Sequence, residues 1–307
     1  MKLITFSVEE KPVLGAIAKG RAIDLPRAVA AFFEAVHDTR QPAFPTTMRA
    51  LLEAGDTAMQ VAAKTLNWLE VQGIEALAPV SHPLEAVSLA PPVPDPSKIV
   101  CCGLNYADHC REQNIDLPKN LVLFSKFSTA LIGYGDAITW KAGTSQQVDY
   151  EAELAVVIGR RARRVSEAEA MGCVAGYTVL NDVSGRRTQR AEKQWLRAKG
   201  FDGFGPCGPW IVTTDEIPDP HALTIECRVN GELRQSSDTG RMIFRIPYLV
   251  SYLSRTMTLE PGDIISTGTP GGVGEHRDPP VFLADGDAVT CTIQGIGTLE
   301  NPVRAGL

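Results

Sequence analysis

The chain has 307 residues, enough to bury a substantial core, and 44% of them are hydrophobic. Its net charge of −6, from 30 Lys and Arg against 36 Asp and Glu, gives no general attraction to phosphate backbones, so a nucleic-acid partner is not expected. No apolar stretch approaches the length of a membrane span, and Met1–Glu10 turns acidic before a signal-peptide core could form; no membrane association and a cytoplasmic location are therefore expected. The seven cysteines form no C-x-x-C pair, which argues against a zinc site or a disulfide scaffold and for reduced, mostly buried thiols.

Along the chain, short β-like pieces at Leu3–Val8 and Val13–Ala18 precede an Ala- and Leu-rich stretch with helical spacing, as in Met48–Leu52 and Ala58–Leu69. Together they predict a small N-terminal α/β domain over residues 1–75. Residues 76–97 read as an extended connector, because Ala90–Ser97 holds four prolines in eight residues, which neither a helix nor a central strand accommodates. From residue 98 to 307 the texture is β-rich with Gly and Pro punctuation, so the fold class is α+β and mainly β. Ser166-Glu167-Ala168-Glu169 has the pattern of a capping box. A helix is predicted from about Pro247 to Met257, with Ile246, Leu249, Val250, Leu253 and Met257 on one face. Pro261-Gly262-Asp263 turns into Ile264–Ser266, and the turns at Asp285-Gly286 and Gly295-Ile296-Gly297 predict an antiparallel finish.

Two constellations carry chemistry. In the first, Glu151 and Glu153 alternate at the head of an apolar, β-branched run and so share one face of a strand. A second β-like segment, Gly176–Asn181, delivers Asp182 where its apolar character ends. Three carboxylates on two strands make an oxygen-only cage suited to Mg²⁺ or Mn²⁺, set against the plainer reading that they are solvated strand ends. In the second, Tyr106–Gln113 as a helical turn sets His109 and Glu112 at i and i+3 on one side. A carboxylate beside an imidazole fixes its tautomer and raises its basicity; an ordinary surface helix is the bland alternative. The Gly-rich Thr267–Gly274 lacks the Lys of a P-loop but offers backbone N–H groups and hydroxyls to a carboxylate.

Lys98 to Pro302 resembles the fumarylacetoacetate hydrolase family in four blocks, taken in order: Gly103-Leu104-Asn105-Tyr106-Ala107-Asp108-His109, Asp149-Tyr150-Glu151-Ala152-Glu153-Leu154, Gly176–Ser184 and Gly262–Pro270. The resemblance implies a mixed β-sandwich roll for residues 98–307, a homodimer, and an Mg²⁺ or Mn²⁺ site at Glu151, Glu153 and Asp182. It further implies a catalytic dyad of His109 and Glu112 on a mobile lid over Asn105–Leu117, a catalytic Lys199, and substrate contacts from Lys126 and Thr269. Where acylpyruvase-like members often carry Arg before the Asn-Tyr pair, this chain has Leu104, so one carboxylate partner is absent.

The resemblance implies a metal-dependent hydrolase that cleaves a carbon–carbon bond in a small-molecule 2,4-dioxo acid, of acylpyruvate, fumarylpyruvate or maleylpyruvate type, to give pyruvate and a carboxylic acid. His109 would activate water and Lys199 would help hold the pyruvate enolate. The same enolate forms when an oxaloacetate-type β-keto acid loses carbon dioxide, so decarboxylation, tautomerisation and dienoate isomerisation are the rival reactions on this site. A non-catalytic binding protein that keeps the fold is the alternative from another class; it predicts a disrupted site, whereas all three carboxylates and the dyad are present.

Overall fold

A computed structural model describes residues 1–9, 11–37, 43–73, 77–143 and 147–306. The mainly β, α+β architecture is as expected from the strand texture. Its centre is the strand Ala152–Ile158, whose seven residues are all buried. Leu154, Val156 and Ile158 enter one hydrophobic cluster and Ala155 and Val157 another, which explains the unbroken apolar run: both faces of this strand are covered.

On the first face lies a five-stranded sheet ordered Glu232–Asp238, Thr224–Val229, Ala288–Ile293, Gly297–Ala305 and Ile138–Trp140. Ile225, Cys227, Val289, Cys291 and Leu299 from this sheet meet Leu154, Val156 and Val179 in one core, the packing of a β-sandwich. The antiparallel finish is as predicted, with Ala288–Ile293 and Gly297–Ala305 joined at Gly295-Ile296. On the second face, helix residues Leu51, Leu52, Ala62, Leu66 and Leu69 pack against Ala155, Val157, Leu180 and Ile211.

The large mixed sheet begins in the N-terminal region and continues into the segment that carries the site. Its path runs from Ser81–Pro83 through Arg21–Asp24, Lys11–Ala18 and Lys2–Val8 to Gly205–Thr213, Val174–Asn181, Ala152–Ile158, Ile264–Ser266, Ile99–Gly103 and Val122–Lys126. The join is the antiparallel pairing of Lys2 with Val212 and Leu3 with Ile211. Within the expected connector, Ser88–Ala90 also pairs with Lys2–Val8, because the extended chain ahead of the prolines still has N–H groups to offer a strand edge. The domain boundary expected near residue 75 lies outside the described residues.

The two helical stretches expected between residues 48 and 69 form Met48–Val71, interrupted where Gly55 takes φ 69° and ψ −152°. The helix expected from Pro247 to Met257 spans Ile246–Ser254 and buries Ile246, Leu249, Val250 and Leu253 as predicted. All seven cysteines are free and buried, in keeping with reduced thiols.

Candidate active site

Backbone pairing builds the carboxylate cluster. Ala152–Ile158 and Val174–Asn181 run antiparallel with Ala152 opposite Asn181 and Glu153 opposite Leu180. The ladder is extended at its end by Asp182 N–H donating to Glu151 O at 2.8 Å, while Glu151 N–H donates to Asn181 Oδ1 at 2.9 Å. Asp182 is thereby set beside Glu151, and Glu153 follows one pleat along on the same face. One carboxylate oxygen from each of Glu151, Glu153 and Asp182 lies within 4.8 Å of the others, and all three side chains are buried.

Such a concentration of buried charge needs cations. Lys199 Nζ bridges Glu151 Oε2 and Asp182 Oδ2 at 2.7 Å each, and Arg186 Nη2 meets Glu151 Oε1 at 2.6 Å. Burial by itself would raise the Glu151 carboxyl, but the Lys199 ammonium and the Arg186 guanidinium together hold it well below the usual carboxylate range. Glu153 goes the other way. Burial first, then the like charges of Asp182 and Glu151, push it well above its ordinary value, although Ser266 Oγ and Gly268 N–H both donate to its Oε2. Glu153 is thus the member of the cluster that most needs a further positive partner.

The donor set fits a hard divalent cation. It consists of oxygens alone, the carboxyl of Glu153 is short of positive charge, and Asp182 Oδ1 is fully buried without a hydrogen bond. Lys126 Nζ is 2.7 Å from that Oδ1, but out of line for donation. All three protons of Lys126 instead go to main-chain oxygens, to Lys199 O at 2.6 Å, Phe204 O at 2.7 Å and Val183 O at 3.1 Å. This corrects the substrate contact expected of Lys126. Its side chain is buried beneath the carboxylates with no proton left for a ligand, whereas Lys199 stands in the cavity wall.

A cavity of about 340 Å³ opens over the cluster, lined by Glu151, Glu153, Lys199, Thr269, His109 and Gln113, among others. Thr269 reaches it with a hydroxyl that already donates to Ala152 O at 3.0 Å and accepts from Gln235 Nε2 at 2.8 Å, so that hydroxyl has no proton free for a substrate carboxylate.

His109 and Glu112 lie on the short helix Ala107–Glu112, with His109 Nδ1 2.6 Å from Glu112 Oε1. The i, i+3 pair predicted from spacing is therefore formed. The other oxygen of Glu112 accepts from Gly272 N–H at 2.6 Å, so the Gly-rich loop serves the dyad. Gly272 suits this place: φ is 105°, and a Cβ there would come 2.4 Å from Arg234 O.

The segment expected as a lid is anchored at its first half. Asn105 Nδ2 donates to Thr267 O at 2.7 Å and Phe244 O at 3.0 Å, and Tyr106 is fully buried. Asp108 accepts from Ser237 Oγ. Beyond the helix, Ile115 and Leu117 are exposed.

Sequence reasoning missed Arg186, Gln113 and His276. Charge counting was a signal for the first, since three buried carboxylates plus Asp149 call for a guanidinium, and Arg186 Nε donates to Asp149 Oδ2 at 2.9 Å. His276 lines the cavity with its ring centroid 6.0 Å from that of His109; nothing local to its sequence marks it.

Residues 98–304 match the family model for the fumarylacetoacetate (FAA) hydrolase C-terminal domain, and the chain belongs to the fumarylacetoacetate hydrolase family. Among its relatives is oxaloacetate tautomerase Fahd2a, mitochondrial, of Rattus norvegicus, which is 48% identical over 267 residues, 87% of this chain and 82% of the relative. Among solved structures, the fumarylacetoacetate hydrolase of Exiguobacterium antarcticum superposes with a TM-score of 0.81 at 35% identity, covering 99% of both chains. Maleylpyruvate hydrolase from Sphingobium sp. SYK-6, in complex with manganese(II) ion and pyruvate, superposes with a TM-score of 0.74 at 31% identity, covering 100% of both.

The expected cytoplasmic location is overturned by the rat relative, which is a mitochondrial protein. Composition and the character of a folded domain do not report on compartment, because an organelle address is read from a separate segment by its own receptor.

Proposed function

We propose that this enzyme interconverts the keto and enol forms of a short 2-oxo dicarboxylic acid of the oxaloacetate type. The reading is carried by one observation, the 48% identity to an oxaloacetate tautomerase over 87% of the chain. The geometry agrees with it, since the His109 imidazole, which is paired with Glu112, and the buried Lys199 ammonium line one cavity above the carboxylate cluster.

Tautomerisation requires a base for the C3–H proton and a positive environment for the charge that develops on the C2 oxygen. In this proposal His109 takes the C3 proton while Glu112, hydrogen-bonded to Nδ1, stabilises the imidazolium that forms. Lys199 holds the C2 oxygen, and the proton returns from His109 to that oxygen to give the enol. Glu151, Glu153 and Asp182 would hold Mg²⁺ or Mn²⁺, which when bound supplies Lewis-acid polarisation of the 2-oxo group. Lys126 supports Asp182 from below.

Hydrolysis of a 2,4-dioxo acid is the second reading, favoured by the likeness to maleylpyruvate hydrolase with manganese and pyruvate. It passes through the enolate of pyruvate, after C3–C4 cleavage, rather than that of the intact dicarboxylic acid, and differs in the demand for an activated water. We also propose that the chain works as a homodimer, as the family resemblance implies.

The decisive experiment follows the decay of freshly dissolved enol-oxaloacetate with purified protein and Mg²⁺ or Mn²⁺, beside pyruvate release from maleylpyruvate. Acceleration of the first well above the spontaneous rate supports tautomerisation. No acceleration with either metal overturns it.

A further inference from the structure

The side chain of Gln113, one residue beyond the dyad, has no part in the proton transfers described above, yet it lies on the reacting nitrogen. Glu112 is a carboxylate that only accepts, and it accepts at both oxygens, from His109 Nδ1 and from Gly272 N–H at 2.6 Å each. Nδ1 therefore carries the imidazole proton, and Nε2 presents the lone pair with which His109 would act as a base. Gln113 Nε2 is 2.8 Å from that lone pair, an amide donor directed at it. The contact follows from helical geometry. Gln113 is the C-cap of Ala107–Glu112 and lies four residues after His109, on the same side. It also lines the cavity, half-buried, with the chain beyond it exposed at Ile115 and Leu117, so no packed framework locks the amide in place.

We propose that Gln113 is a specificity-determining positioning residue that withholds His109 Nε2 from water and so biases the dyad toward tautomerisation over hydrolysis. The inference rests on the proposed tautomerase reading for the identity of the favoured reaction. In hydrolysis, water gives its proton to Nε2 while its oxygen bonds to C4; the C3–C4 bond then breaks, its electron pair forms the pyruvate enolate, and the proton on Nε2 goes to that enolate. In tautomerisation the C3 proton goes to Nε2, the C–H electron pair moves toward the C2 oxygen, and the same proton passes to that oxygen; no water is consumed. A water reaching for the lone pair offers the same kind of bond as the amide, but the amide is tethered beside it and has less freedom to lose. A bound 2-oxo acid, held through its carboxylate and oxo group, brings enough contacts to push the amide aside.

The test uses Gln113→Met, which keeps length without a donor, and Gln113→Ala. For each, the rates of enol-oxaloacetate decay and of maleylpyruvate hydrolysis are measured with Mg²⁺ or Mn²⁺, together with the melting temperature and metal affinity. The ratio of hydrolysis to tautomerisation is expected to rise on the order of tenfold, the scale of one hydrogen bond, through kcat of hydrolysis and with KM, melting temperature and metal affinity little changed. A parallel fall of both activities, or an unchanged ratio, overturns the proposal. Nitrogen-15 NMR of His109 in the unaltered protein provides a check that needs no variant: an Nε2 that carries the proton, or that shows no hydrogen bond from an amide, also overturns it. If the unaltered protein fails to accelerate enol decay, the tautomerase reading falls; a gain of hydrolysis in Gln113→Met then still upholds the restraint on water, and no gain sinks it.

Discussion

The two poles of the cavity are built in different ways. Glu153 stands on, and Glu151 and Asp182 directly flank, adjacent strands whose ladder, from Ala152 opposite Asn181 to Val157 opposite Gly176, is buried on both faces, and their positions are set by main-chain pairing. His109, Glu112 and Gln113 stand on or just after a six-residue helix that is too short to be stable alone. It is tied down by side-chain contacts, chiefly those of Asn105, of Asp108 with Ser237, and of Glu112 with Gly272. The lesson is that the carboxylate pole is part of the fold, so its removal is expected to be felt as lost stability as well as lost activity. The proton-handling pole is an attachment that can be altered while the fold persists.

The sharpest way to break this contrast is Asp182→Ala. Asp182 has no exposed surface and faces the ammonium groups of both Lys126 and Lys199, so its loss leaves two buried cations short of a counter-charge. Activity is expected to fall on the order of a thousandfold or more, and stability by about 3–5 kcal/mol, read by chemical denaturation. A variant with a wild-type melting curve would show that the cluster is not integral to the fold. By contrast, His109→Ala is expected to lower turnover roughly a hundredfold while leaving divalent-metal affinity and melting temperature near those of the parent. Glu112→Gln, which can still hydrogen-bond the imidazole but not stabilise its charged form, should give a milder loss. If His109→Ala left activity within a factor of a few, the dyad would have to be reassigned.

Metal and pH sharpen the comparison further. Burial raises the Glu153 carboxyl in the folded protein well above its ordinary value. Its contribution to stability is therefore fully present below the unfolded value and is lost as pH rises through the folded one. A divalent cation takes the place of the proton, so the rise in melting temperature on adding Mg²⁺ or Mn²⁺ should be larger at pH 8 than at pH 6. A rise that shrinks with pH would remove Glu153 from the metal set. Chelation should abolish activity, with recovery on adding either metal back. The smallest effect is expected from Ser237→Ala, which removes one tether of the attached helix through Asp108. A loss of about 0.5–1.5 kcal/mol in substrate binding, seen as a several-fold higher KM at unchanged kcat, would mark that tether as a device for positioning the dyad; a fall in melting temperature without a change in KM would make it part of the fold.

Much of the site was legible because it depends on local periodicity. Alternation along a strand sets Glu151 and Glu153 on one face, and a helical turn sets His109 beside Glu112; neither conclusion needs to know what lies across the molecule. The four motif blocks, in order, were likewise enough to indicate the family. The fate of each lysine was not legible. Lys126 and Lys199 both end in the carboxylate cluster, yet the strand Val122–Lys126 runs beneath the site and buries its amine among carbonyl oxygens, while Lys199 arrives from above, in the cavity wall. Thr269 lines the cavity, but the commitment of its hydroxyl to Ala152 and Gln235 depends on a contact across 117 residues in one case and 34 in the other.

By itself the sequence indicated several of the strands and helices, the family, and the pairs of groups that one element presents on one face, because backbone geometry within an element follows from its own residues. Tertiary structure decided how the pairs are completed. The register between Ala152–Ile158 and Val174–Asn181 brings Asp182 to the two glutamates, Arg186 and Lys199 answer their charge, and the pairing of Leu3 with Ile211 joins the N-terminal strands to the sheet that carries the site. These outcomes depend on which surfaces meet when the apolar faces are buried together, and that is a property of the whole chain rather than of any segment.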